Sequence, residues 1–240
     1  LLIISKIEEK INPSMQVTLS DKDFDYLDSN KKEFVKTVLP IIINENQNIL
    51  MIRSFVNELK GKLETFRTLN NNEIRKLNDI AQKYNIKYQN KHKLDLVDEI
   101  LSNVDVIPNS IVLAQAAIES GWGKSRFAKE YNALFGEYTY DDSEGVIPLE
   151  RENGDTHLIK AFSSYSNSVE SYFDNINSHY AYEDFRDIRN IMRKRNNFSN
   201  VNLLVNKLST YAEDENYIKT IRQVIKTNNF GIFDQKTISY

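Results

Sequence analysis

The sequence predicts an α+β fold that is mainly α, and three observations predict it. Gly 7 and Pro 4 in 240 residues are too few for the tight turns that sandwiches and barrels need. Apolar residues recur at helical spacing along most of the chain. Only between Ala133 and Phe162 does the period change, around an Asn153-Gly154 pair that suits a tight hairpin turn. With 40% apolar and 11% aromatic residues, the chain can bury a sizeable core as one large domain or two small ones.

Residues 1 to about 20 show no sustained period and are expected to form an extended or loosely packed arm. Leu1 to Ile4 make an abrupt apolar start, as expected if a signal peptide or anchor was cut away upstream, or if the boundary is arbitrary. From Lys31 to Lys60, Val35, Val38, Leu39, Ile42, Ile49, Ile52, Phe55 and Leu59 keep mostly helical spacing, and Pro40 interrupts it. A kinked or split helix pair is expected there. Two amphipathic stripes follow, Ile74 to Tyr84 and Leu94 to Val104. Pro108, Asn109 and Ser110 then supply a stop and a cap before the run Ile111 to Ile118, which is apolar on nearly every face and so reads as a buried helix. Gln115 and Glu119 are its polar exceptions, and a four-residue separation puts both on one side. Gly121 and Gly123 offer a stop.

The strands of the hairpin are expected at Gly145 to Glu150 and Thr156 to Phe162. Ser164 can cap the next helix, which carries Val169, Tyr172, Phe173 and Ile176. Further stripes run through Phe185, Ile188, Ile191 and Met192, then Leu204, Leu208 and Tyr211, and finally Ile218, Ile221 and Ile225. Polarity peaks at Asn70 to Asn72, which divides the chain into an N-terminal arm and helical segment (1–70) and a main domain (71–240).

A net charge of -3 advertises neither a nucleic acid nor an anionic membrane. Zero cysteines remove disulfides, thiolate nucleophiles and Cys-ligated metals, and no apolar run is long enough to span a bilayer. The three histidines, His92, His157 and His179, lack any metal-ligating spacing. Gly123-Lys124-Ser125 resembles the end of a phosphate loop, but Ile118 stands where that motif needs Gly; no G-x-S-x-G elbow exists either. The basic run Arg189, Arg193, Lys194, Arg195 reads as a solvated helix face rather than a phosphate site. Carboxylate chemistry remains. Glu119 closes a dry helix, where partial desolvation would prepare a carboxyl group as a general acid; the pattern also fits a Glu that turns out to solvent. Trp122, Phe135, Tyr138 and Tyr140 follow closely, and such rings serve equally to stack on sugars or to fill a core.

These residues carry a resemblance. Ala114-Gln115-Ala116-Ala117-Ile118-Glu119-Ser120-Gly121-Trp122-Gly123, Asn132-Ala133-Leu134-Phe135-Gly136, Leu149-Glu150-Arg151-Glu152-Asn153-Gly154, the stretch Phe162 to Tyr182, and Tyr211 to Tyr217 are similar in order and spacing to the peptidoglycan-cleaving endo-β-N-acetylglucosaminidases. The Bax-type branch is the most similar. The resemblance spans about Lys31 to Phe230 and implies a lysozyme-like fold, a helical lobe facing a small β-hairpin lobe across a glycan groove.

It further implies that Glu119 is the acid that cleaves between N-acetylglucosamine and N-acetylmuramic acid, with no metal or organic cofactor. Glu150 matches the family's second acidic residue, although Arg151 replaces the aromatic neighbour; Glu152 or Glu144 could substitute. Tyr211 matches a tyrosine beside the acid, and Glu215 departs from the family proline. Gln115, Trp122, Asn132, Phe135, Tyr138 and Tyr217 are the expected substrate-binding residues. The implied partner is a peptidoglycan strand in the cell envelope, periplasmic or otherwise extracytoplasmic. A membrane enters only through an anchor removed upstream. A lytic transglycosylase, a binding scaffold without turnover and a hydrolase of another acetamido-sugar polymer stay open beside the hydrolase reading.

Overall fold

The stripe that starts near Lys31 folds into one rod, α1 (Ser29–Glu64), 36 residues and thus about 54 Å long. Asp28 starts it by accepting a hydrogen bond from Lys31 N at 3.0 Å. The structure, a computed structural model, describes residues 19, 21–148, 157–197, 200–209, 211 and 216–236. The expected kink or split at Pro40 is absent as a break, because α1 is assigned as one helix through it. Pro40, which brings no N–H to the helix, and Lys36 one turn before it both lie on the exposed face, while Val38, Leu39, Ile42 and Ile43 hold the inner face in the core.

Asn70 opens α2 (Asn71–Lys83) with a capping box: its side chain accepts from Glu73 N, and Glu73 accepts from Asn70 N. The polar cluster at Asn70 to Asn72 is therefore a helix start. Next come α3 (Lys93–Asn103), α4 (Asn109–Glu119) and α5 (Arg126–Tyr131). Helix α1 packs against α3, α4 and the later α6 (Tyr165–Ser178), so one apolar core runs from α1 into the C-terminal helices. Ser164 caps α6 as its sequence suggests.

Three short strands make the small lobe. β1 (Tyr138–Thr139) and β2 (Gly145–Val146) both pair antiparallel with the central β3 (Leu158–Lys160). The β2–β3 pair is the expected hairpin, with Val146 opposite Ile159; its turn lies outside the described residues. Strand β1, with Tyr138 opposite Ile159, is an addition that two residues are too short to announce by period. Gly145 is sterically required, since a Cβ there would stand 2.4 Å from Leu158 Cβ.

After a 3₁₀ turn at Tyr180–Tyr182 come α7 (Glu183–Lys194), α8 (Val201–Val205), α9 (Tyr217–Thr227) and a 3₁₀ segment at Phe230–Lys236. The stripe through Leu208 and Tyr211 leaves the helix after Val205 and continues in turns, closed by Leu208 N to Val205 O and Tyr211 N to Leu208 O. None of the described helices is long and apolar enough to cross a membrane.

Two features correct the reading of the polar residues. The basic run is not a solvated face at Arg189, which is fully buried; its guanidinium donates to the carbonyls of Asn103, the last residue of α3, and of Asp105 and Val106 just after it. Asp105, also fully buried, is clasped by Arg193 through two bonds of 2.8 and 2.5 Å and approached by Arg53 at 3.3 Å. Burial would push the Asp105 carboxyl up, but the Arg193 hydrogen bond and the charges of Arg53, Arg189 and Arg193 hold it below its ordinary value. The second correction concerns α4. Its N-cap residue, Pro108, makes no side-chain cap, and the cap comes from far along the chain. Asp234 accepts from Ser110 N at 2.8 Å and from Ser110 Oγ at 2.7 Å, while Asn109 Nδ2 donates to Phe233 O. Buried Asn46 of α1 bonds Ile107 and Asn109 from the other side.

Candidate active site

Helix α4 is buried through Ala117 and ends at Glu119, which is half-buried. The turn behind it, where Gly121, Trp122 and Gly123 all take positive φ, is closed by Trp122 N to Ala117 O and by Ser120 Oγ accepting from Gly123 N. Tyr217, from the start of α9, donates to Glu119 Oε1 at 2.8 Å. Gln115, one turn earlier on α4, donates its Nε2 to Tyr217 Oη at 2.9 Å and accepts at Oε1 from Tyr172 Oη of α6 at 2.5 Å. Burial pushes the Glu119 carboxyl above its ordinary value, against the pull of the Tyr217 hydrogen bond. Burial, with the Glu119 charge beside it, pushes the Tyr217 hydroxyl far above the ordinary tyrosine value, so it remains a donor.

The segment leading into β1 lies against the other oxygen. A Cβ at Gly136 would stand 3.9 Å from Glu119 Oε2, and its φ of +62 suits glycine. Tyr211 donates to Phe135 O at 3.0 Å, and its ring stacks on Tyr217 with an interplanar angle of 3°. Phe135 in turn stacks on Tyr172 with centroids 4.2 Å apart.

Of the residues expected in the site, Glu119, Gln115, Tyr217, Phe135 and Tyr211 form one connected group. Gln115 and Phe135 are buried, which leaves them no surface for a sugar. Trp122 stands apart: its ring packs on Phe34 and Phe230 beneath Lys31. Asn132 ends α5 in the left-handed conformation and donates to Phe162 O, tying that helix to the chain after β3. Tyr138 is exposed on the small lobe, its ring tilted at 35° against His157 with centroids 4.2 Å apart. Tyr140 and, across the chain, Tyr180 are exposed as well. Glu150 and Glu152 lie outside the described residues; Glu144 is exposed, 3.8 Å from Lys160.

The family model described as mannosyl-glycoprotein endo-beta-N-acetylglucosaminidase matches residues 94–230, which contain this whole group. The chain belongs to the glucosaminidase family. Among its relatives is protein bax of Escherichia coli, 30% identical over 213 residues, covering 88% of this chain and 74% of that protein. The Bax-type resemblance thus holds. Peptidoglycan hydrolase FlgJ of Escherichia coli is 35% identical over 92 residues, 34% of this chain and 29% of that protein; FlgJ of Salmonella typhimurium is 34% identical over the same length. Among solved structures, the catalytic domain of the autolysin Auto from Listeria monocytogenes aligns over 90% of this chain and 99% of that chain, with TM-score 0.48 and 16% identity.

In this member of the glucosaminidase family, one carboxyl beside the site escaped the sequence reading. Glu137 follows Gly136, where a charge in a loop suggests exposure, yet its Oε1 is buried with no hydrogen-bond partner among the described residues. Its Oε2 accepts from Ser171 Oγ of α6 at 2.9 Å, and its backbone carbonyl accepts from Lys160 N of β3, so it joins the small lobe to the helical body. Burial pushes its carboxyl up to about 7, against the Ser171 hydrogen bond and the Lys160 charge. Burial likewise raises Asp174 to about 7 and Asp234 to about 6.

Each of these groups holds its proton more tightly folded than unfolded, where carboxyls titrate near ~4. The stability these groups contribute is therefore greatest below that value and is lost as pH rises from there through about 6 to 7. We expect a higher melting temperature at mildly acidic pH than at alkaline pH, and a smaller difference in Glu137→Gln. A melting temperature that rises with pH over that window, or a variant with the full wild-type slope, would contradict this.

Proposed function

We propose that this chain is a glycoside hydrolase of the cell envelope that cuts peptidoglycan glycan strands between N-acetylglucosamine and N-acetylmuramic acid, with Glu119 as general acid. The observation that carries the reading is the Glu119 carboxyl itself. It is half-buried at the end of an apolar helix, raised by that burial, steadied at Oε1 by Tyr217, and bounded at Oε2 by a residue with no side chain. Family membership and the FlgJ relatives, named as peptidoglycan hydrolases, support the substrate class.

In the proposed step, Glu119 gives its proton to the glycosidic oxygen as the bond from the anomeric carbon to that oxygen breaks. The electron pair leaves with the oxygen, the sugar ring takes up positive charge, and Glu119 becomes a carboxylate. The Tyr217 hydrogen bond stabilises that carboxylate. Tyr211, with its hydroxyl on Phe135 O and its ring on Tyr217, braces the group from the small-lobe side. The second acidic group is proposed to be Glu150, with Glu152 and Glu144 as substitutes; an inverting route needs it to direct water, whereas the substrate's own acetamido group can act as nucleophile in a retaining one. Exposed Tyr138 offers its ring to a sugar face. No metal or organic cofactor enters this chemistry.

The new chain end of the product tests the reading. Mass spectrometry of digested purified peptidoglycan is expected to show reducing N-acetylglucosamine ends. Anhydro-muramic ends would establish a lytic transglycosylase instead. Sugar-dependent thermal stabilisation without product at high enzyme concentration would establish a binding scaffold.

A further inference from the structure

The Tyr172 side chain is fully buried, and the acceptor its hydroxyl reaches is Gln115 Oε1 at 2.5 Å. A buried hydroxyl proton must find an acceptor or incur the full cost of desolvation. That requirement orients the Gln115 amide with its oxygen toward Tyr172 and its NH₂ toward Tyr217. Tyr217 Oη then accepts from Gln115 Nε2, and its own single proton points to Glu119 Oε1 at 2.8 Å. Turning the amide over would set its NH₂ against Tyr172, strand the Tyr172 proton, and place an amide oxygen where it draws the Tyr217 proton away from Glu119.

From this arrangement we infer that Tyr172 is a positioning residue: it sets the direction of a donor chain Tyr172–Gln115–Tyr217 that holds Glu119 Oε1 as an acceptor, so that the transferable proton resides on Oε2, on the Gly136 side. The inference rests on the reading of Glu119 as the acid. Gly136 supplies independent support, since the space in front of Oε2 is kept by a residue whose Cβ would stand 3.9 Å from it. The chain also favours the state after transfer, because the donor at Oε1 stabilises the carboxylate that remains.

The titratable groups around Glu119 are Tyr217 of α9, Tyr172 of α6, Tyr182 of the 3₁₀ turn after it and Tyr211; Glu137 acts on Tyr172, Tyr182 and Tyr211 from the small-lobe side. The test therefore follows Glu119 itself. With carboxyl-¹³C glutamate incorporated in the full chain, the Glu119 signal, assigned by its loss in Glu119→Gln, is titrated in the wild type, Tyr172→Phe and Tyr217→Phe. Tyr217→Phe removes the donor to the carboxylate, and Tyr172→Phe frees the Gln115 amide to turn and draw the Tyr217 proton away, so each is expected to titrate Glu119 at higher pH than wild type. On purified peptidoglycan the alkaline limb of kcat/KM should move up in step, with kcat down roughly tenfold and KM unchanged.

A Tyr172→Phe midpoint at the wild-type value beside a shifted Tyr217→Phe overturns the role of Tyr172, and two unshifted midpoints overturn the chain. Tyr172→Phe keeps the ring stacked on Phe135. Should it not fold, Gln115→Glu is compared with Gln115→Glu/Tyr217→Phe: the added like charge acts on Glu119 in both, so the chain expects coincident midpoints because Tyr217 already donates to position 115, and a higher midpoint in the double variant overturns it. If the wild type releases no product, the hydrolase reading fails, while the NMR titration still decides the hydrogen-bond polarity.

Discussion

Glu119→Gln is expected to lower glycan cleavage by roughly 10²- to 10⁴-fold, the usual contribution of a positioned general acid, and to leave the fold intact. An amide has no acidic proton to give, which removes the transfer step. It keeps an oxygen where Oε1 stands, so Tyr217 retains its acceptor. It also removes a carboxyl whose ionised form burial penalises, so no loss of stability is expected. The measurement pairs muropeptide release from purified peptidoglycan with a thermal melt of the same preparation. Undiminished release at an unchanged melting temperature would show that another residue supplies the proton.

Asp105→Ala is expected to cost about 3–5 kcal/mol of folding stability, the usual penalty for removing one partner of a buried ion pair. Asp105 has no exposed surface, and the Arg53 and Arg193 side chains that face it are only 12% and 20% exposed. Removing this carboxylate leaves the Arg53 and Arg193 guanidinium groups, with the buried Arg189 nearby, without the anion that sits between them. The site joins α1, the chain after α3 and α7, so its loss loosens the layer on which α4 rests. Against a total of about 5–15 kcal/mol for a domain of ordinary stability, such a loss moves the urea midpoint far enough to measure directly. Asp105→Asn, which keeps the shape and an acceptor oxygen, should lose less. A midpoint for Asp105→Ala close to wild type would mean that water reaches the guanidinium groups and compensates them.

Particular residues show why some features were legible in the sequence and others were not. The run Ile111 to Ile118 announces a buried helix because every face of it is apolar, and the same pattern marks Gln115 and Glu119 as two polar groups on one side. Asp105, between Val104 and Val106, carried a comparable signal: a lone carboxyl in an apolar run points to a buried partner. Arg189 carried none, since an arginine on an amphipathic helix looks alike whether its stem lies on the surface or its head enters a core. Glu137 was hidden by its place after Gly136, where local chemistry suggests a turn open to water. Pro40 misled for a related reason, as its effect depends on whether the face it interrupts is the exposed or the buried one.

Composition and periodicity determined the helical class, the site of the hairpin, most helix positions and the shared face of Gln115 and Glu119, because these are properties of neighbours along the chain. Tertiary structure alone decided the partners. Tyr172 reaches Gln115 from 57 residues away, Tyr217 reaches Glu119 from 98, and Asp234 caps α4 from 124. A helical period states which face of a segment turns inward, whereas the group it meets there depends on which distant segment packs against that face. The protonation of a carboxyl such as Glu119 or Glu137 follows from that meeting, through the water excluded and the donors brought within reach.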